Sequence, residues 1–169
     1  MPQRTIRRSR LALSLALAAA LCACSSQKPP VGPEVLAEKY LEARRYQDAL
    51  RESEKLVRMQ PRNLQYRLLA ARANEAAGDP QRALSHLEMA QEIAPADAEP
   101  NVLIGELEQR MKNPDDAYVA FRRATMQAPD DLRAWRGLAL TAEALGFEAE
   151  AEKAYARWAE LEKAQGEKP

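Results

Sequence analysis

Only two of the 169 residues are cysteine, both within the first 24, and only one is histidine. No Cys/His cluster has the three- or four-ligand spacing that a zinc site requires. The six glycines form no phosphate-cradling motif, and nothing resembles a nucleophile elbow or an oxyanion loop. Valine, isoleucine and threonine together number 11, too few for a chain built mainly of strands. Neither charge sign is in excess, with 25 basic and 25 acidic side chains, which argues against a dedicated nucleic-acid binder. The chain is instead rich in Ala, Glu, Lys, Leu and Arg, 97 residues in all, the composition of helices. At 30% charged and 46% hydrophobic it is not globally disordered.

The zero net charge hides an asymmetry. Arg4, Arg7, Arg8 and Arg10 precede the uncharged run Leu11–Leu21, shorter than the roughly 20 apolar residues that span a bilayer. A basic start and a short apolar core form a secretory signal. Arg7-Arg8 raises the twin-arginine route, but Ser9 and Arg10 lack the hydrophobic residue expected there. Leu21-Cys22-Ala23-Cys24 resembles the lipobox of bacterial lipoproteins, with Ala23 small beside the scissile bond and Leu21 aliphatic three before Cys24. The resemblance implies acylation of Cys24 rather than Cys22, against the alternative of a plain signal with incidental cysteines. Ser25 is not an inner-membrane retention aspartate, so it further implies an outer-membrane destination. The expected division is a signal over 1–23, a lipidated tether over 24–32, and a mature chain with 21 basic and 25 acidic groups, net −4. With its one cysteine lipidated, that chain has no disulfide. Ser25–Gly32 is polar and proline-bearing, with an extended reach of roughly 26 Å.

A period of 34 runs through the remainder. Pro61, Pro95 and Pro129 share it, as do Ala49, Ala83, Ala117 and Ala151, and the small residues Ala37, Ala71, Gly105 and Ala139. Ser53, Leu87, Phe121 and Tyr155 make a further series. This spacing, with Trp135-x-x-Leu138-Ala139 and Ala117-x-x-x-Phe121 followed by Pro129, resembles the tetratricopeptide repeat. The resemblance implies an all-α, right-handed α-solenoid of four helix hairpins over 33–61, 62–95, 96–129 and 130–163, then a polar tail over 164–169. Gly78-Asp79-Pro80 reads as a helix end, an N-cap and an N1 proline. The first repeat lacks a turn glycine at Arg44-Arg45-Tyr46, and Glu152 replaces the apolar residues of the earlier repeats, as a solvated end cap would. Trp158 either fills the last hairpin's core or forms a docking patch.

His86 reads as a surface or packing residue rather than a catalyst. Asp115-Asp116 and Asp130-Asp131 read as helix-start acids rather than a metal site. The family resemblance points a concave face, lined by the first helices, at a partner. It places there Glu34, Glu38 and Leu41; Gln65, Leu68, Arg72 and Glu75; Glu99, Val102, Glu106 and Gln109; and Arg133, Arg136, Leu140 and Glu143. Leu68, Val102 and Leu140 are expected to form an apolar strip flanked by Arg72, Arg136 and carboxylates, suited to an extended segment or a helix. The alternative is that these residues are only the solvated face of the superhelix. No Lys/Asn carboxylate clamp is present. The expected protein is therefore a non-enzymatic, periplasm-facing outer-membrane lipoprotein, without cofactor, metal, nucleic acid or small-molecule substrate, that scaffolds envelope proteins. It looks like the lipoproteins that assist type IV or tight-adherence pili, often through a secretin. Alternatives are an adaptor for outer-membrane protein insertion or peptidoglycan enzymes and, remotely, a periplasmic hydrolase.

Overall fold

A computed structural model describes residues 32–166. The signal (1–23), Cys24 and the tether up to residue 31 lie outside the described residues. Pro33–Pro169 is one compact unit. Its helices are α1 (Pro33–Glu42), α2 (Tyr46–Met59), α3 (Leu64–Ala76), α4 (Pro80–Ile93), α5 (Glu99–Arg110), α6 (Pro114–Gln127), α7 (Leu132–Ala144) and α8 (Glu148–Gly166). They pair as four hairpins, α1/α2 to α7/α8, and there is no strand among the described residues. None of these helices is long and apolar enough to cross a membrane. The segment expected as a polar tail is helical through Gly166, because α8 does not stop at Lys163.

The same 34-residue phase sets the helix boundaries. Asn63, Asp97 and Asp131 each precede a first helix, and their side chains accept from the backbone N–H of Tyr66, of Glu99, and of Arg133 and Ala134, respectively. Such caps satisfy donors that a helix start leaves without partners. Within the hairpins the chain passes through left-handed backbone at Arg44 (φ 55°), Gly78 (87°), Lys112 (64°) and Gly146 (75°). All four turns therefore have one geometry, although only two carry the residue that adopts it without steric cost. Between hairpins the prolines end the helices, and their carbonyls are tied down. Arg67 Nε donates to Pro61 O and Trp135 Nε1 donates to Pro129 O, both at 2.9 Å. Asn101, in the equivalent position, reaches Pro95 O through Gln127, with donor–acceptor distances of 2.8 and 2.7 Å.

Each helix packs mainly on its sequence neighbours, but the first helices are not evenly spaced. α5 approaches α7 and α1 approaches α3, whereas α3 and α5 stand apart. Side-chain size accounts for the contrast between α3/α5 and α5/α7. Between α3 and α5 lie Leu68 and Leu107, with Leu64, Leu103 and Ile104 against them. Between α5 and α7 lie Ala98, Val102 and Ala134, and α6 adds Ala124. Small side chains let helix axes close, and leucines hold them apart. Phe121, 1% exposed, completes the contact between α5 and α7. Its ring sits where a Cβ on Gly105 or Gly137 would fall, at 2.8 and 2.4 Å.

Candidate protein-binding groove

The first helices of three successive hairpins line one cleft of about 410 Å³. Leu68, Leu69 and Leu103 form its floor, with Glu34, Glu38, Arg72, Asp97 and Glu99 around it. The cleft opens where α3 and α5 diverge, so its leucines both create the gap and line it. Further along the same face a second hollow of about 230 Å³ is bounded by Glu106, Gln109, Arg133, Arg136 and Leu140, with Phe121 and Gly137 beneath. Leu69, Leu103 and Gly137 are again 34 apart. The hollow deepens at the fourth hairpin because glycine replaces leucine there.

Most residues expected on this face line the cleft or the hollow. Glu38 and Arg72 are exposed at the first cleft, as Arg136 is at the second, and Leu140 is 42% exposed. Leu68 is 9% exposed and belongs as much to the core as to the floor. Val102 does not line the groove. It is 0% exposed, because the small Ala134 lets α7 close over it, and Leu103 takes its place. The apolar strip is therefore Leu68, Leu69 and Leu103, then Leu140, rather than Leu68, Val102 and Leu140. The leucine series 69 and 103 is readable at the 34-residue period, one position beyond the one expected to face inward.

Electrostatics divide the groove in two. Arg133 binds Glu99 through both terminal nitrogens, and Arg110 pairs with Glu75. The bond to Glu99 raises the Arg133 pKa further and keeps it charged. These pairs consume two of the cations on this face. Glu106 is pushed above the ordinary carboxylate range, first by burial and also by Glu99 and Glu75, against the opposing pull of Arg133 and Arg110. Among the described residues Glu34, Glu38 and Asp97 have no ion pair, so the end of the face formed by the first hairpins is acidic. Arg136 leaves the far end locally basic.

His86 is a packing residue, 9% exposed. Its Nε2 lies 3.0 Å from Glu54 Oε1 and its Nδ1 lies 3.2 Å from Arg67 Nη1. A guanidinium only donates, so Nδ1 accepts and Nε2 carries the proton shared with Glu54. The imidazole thus staples α4 to α2 and α3. Asp131 caps α7, and Asp115 and Asp116 occupy the first turn of α6, as helix-start acids should. Among the described residues no group of His, Cys, Asp and Glu could hold a metal ion. Trp158 is half-buried with its ring 6.4 Å from Tyr155, between the two roles expected for it. Glu152 is exposed at the end of the array.

Stacked hairpins with a groove along their first helices define an α-solenoid that serves as a protein-interaction scaffold. Two family models, each described as tetratricopeptide repeat, match residues 35–98 and 75–141. The chain belongs to the tetratricopeptide-repeat family over that span. Among solved structures it is similar to a crystal structure of MamA, at 20% identity and a TM-score of 0.74, covering 99% of this chain and 100% of that one. It is also similar to MamA 41-end from Desulfovibrio magneticus RS-1 (18% identity, TM-score 0.70, 95% and 90% covered). A third is TTC0263, a thermophilic TPR protein of Thermus thermophilus (22% identity, TM-score 0.64, 90% and 88% covered). At these identities the likeness is one of fold. No curated protein matches the sequence.

Proposed function

We propose that this chain is a lipid-anchored, periplasm-facing scaffold of the outer membrane, and that it holds a protein segment in its groove during assembly of an envelope machine, a type IV or tight-adherence pilus with its secretin. The observation that carries the scaffold reading is the leucine-floored cleft shared by three hairpins, a shape that receives a strand or helix rather than a small reactant. The anchor reading rests on Leu21-Ala23-Cys24 and the basic segment before it. The pilus reading rests on the combination of lipobox, chain length and repeats. Acyl chains contribute about 0.8 kcal/mol per buried methylene, so dual acylation or more holds the protein stably to the bilayer.

The experiment is metabolic lipid labelling with membrane fractionation. Cys24→Ser is expected to abolish labelling and release the protein, and Cys22→Ser to change neither. Undiminished labelling of the Cys24→Ser protein overturns the anchor. In the same cells Leu103→Ser with Leu140→Ser, which strips apolar side chains from the cleft and the far end of the strip, is expected to lose capture of the secretin or pilus component while helicity persists. Unchanged capture assigns the binding to another surface.

A further inference from the structure

Resting on the scaffold reading, we infer that the occupant of the groove is a cationic amphipathic segment whose basic end lies over the first two hairpins, in the cleft bounded by Glu34, Glu38 and Asp97. Three observations converge on this. The floor, Leu68, Leu69 and Leu103, accepts apolar side chains, so the segment carries them. Around that floor the acids outnumber the bases, since Glu34, Glu38 and Asp97 face only Arg72 once Glu99 is paired with Arg133. Arg133 has already engaged Glu99, and Arg110 has engaged Glu75, so both are withdrawn from a ligand. The unpaired carboxylates left over set the sign of the field in the cleft.

The geometry also gives a direction. Glu34 and Glu38 are one helical turn apart on α1 and both exposed, so a Lys or Arg of the segment meets two carboxylates at once. Arg136 has no ion pair among the described residues and stands at the opposite end of the face, beside the 230 Å³ hollow over Phe121 that Glu106 also lines. Positive charge continued to that end would be repelled, so the basic residues belong at one end of the segment and an apolar side chain at the other. Charges arranged in this way fix register and orientation more than they add raw affinity. An acidic segment is excluded from the same cleft by like-charge repulsion.

The test uses the purified protein and two short labelled peptides sharing one set of leucines. In one the polar positions of one half are lysine, and in the other those positions are glutamate. Fluorescence anisotropy is expected to show the lysine peptide binding about tenfold or more tightly, with affinity falling as salt is added. Glu34→Gln with Glu38→Lys is expected to weaken that binding about tenfold. Glu88→Gln with Glu92→Lys makes the same net charge change on exposed sites of α4 outside the cleft, and is expected to leave it within about twofold. Equal binding of both peptides, or equal loss in the two variants, overturns the inference. If Leu103→Ser with Leu140→Ser, which changes no charge, then still abolishes binding of both peptides, the scaffold reading survives that failure. Absence of binding by either peptide overturns the inference, and the scaffold reading falls with it only if the groove also captures nothing in cells.

Discussion

At the scale of single residues, the contact between the third and fourth hairpins turns on Phe121. The ring fits because residues 105 and 137 have no Cβ, and the fit in turn determines that the groove hollows above Gly137. Gly137→Ala places a methyl 2.4 Å from the ring and is expected to cost about 2 kcal/mol of stability, the ordinary range for overpacking. Phe121→Leu should recover much of that loss in the double variant, a coupling that urea denaturation measures directly. Glu106 supplies a second residue-scale prediction. Burial raises its pKa, so the folded chain holds this proton more tightly than the unfolded chain does, and ionisation costs folding free energy. That cost is absent below the ordinary carboxylate range and present once pH has risen through the raised value. Glu106→Gln is therefore expected to raise the melting temperature at about pH 7 and to leave it unchanged at about pH 3.5. A gain of equal size at both values would show that burial of charge is not the cause.

At the scale of elements, the hairpin turns share one left-handed residue but not one amino acid. Lys112 at φ 64° carries steric strain that Gly146 at φ 75° does not. That strain is about 1–2 kcal/mol, partly offset by the greater freedom of glycine in the unfolded chain. Lys112→Gly is expected to stabilise by about 0.5 kcal/mol and Gly146→Ala to destabilise by about 1 kcal/mol, both read by thermal unfolding. The turns also show what a repeat makes legible. The periodic prolines, the small residues at 49, 83, 117 and 151, and the glycines at 78 and 146 announce four hairpins, because each marks a backbone requirement that recurs in every unit. Helix spacing is not marked in this way. It depends on which side chains meet between one unit and the next, so a register based on one average repeat places Val102 in the groove. The pairing of Val102 with Ala134 on the neighbouring first helix buries it instead. Leu103, one residue further, carries the same period and lines the cleft. The third hairpin also lacks the regular cap of the second and fourth: Ala98 is already helical, and Asp97 caps from one residue earlier.

At the scale of the whole molecule, the neutral count of charges is unevenly distributed along the chain. The first 23 residues hold four arginines and no acid, so the remaining chain is net −4, and unpaired acids gather on the groove beside α1. On the last described hairpin Glu152 is exposed where earlier hairpins place apolar side chains, and the Trp158 ring lies 6.4 Å from that of Tyr155. Such arrays bury their faces only by stacking, so the groove and the core are two sides of the same helices. The account stands on the claim that the first-helix face, and not the outer face of the second helices, is where a partner sits. Photo-crosslinking in intact cells tests this most directly, with the crosslinking residue placed at Arg72 or Leu140 on the groove and at Arg123 or Met126 on the exposed side of α6. The account predicts crosslinks to a pilus or secretin component from Arg72 and Leu140 and none from Arg123 and Met126. The same partner captured from Arg123 and Met126, with nothing captured from the groove, would contradict it.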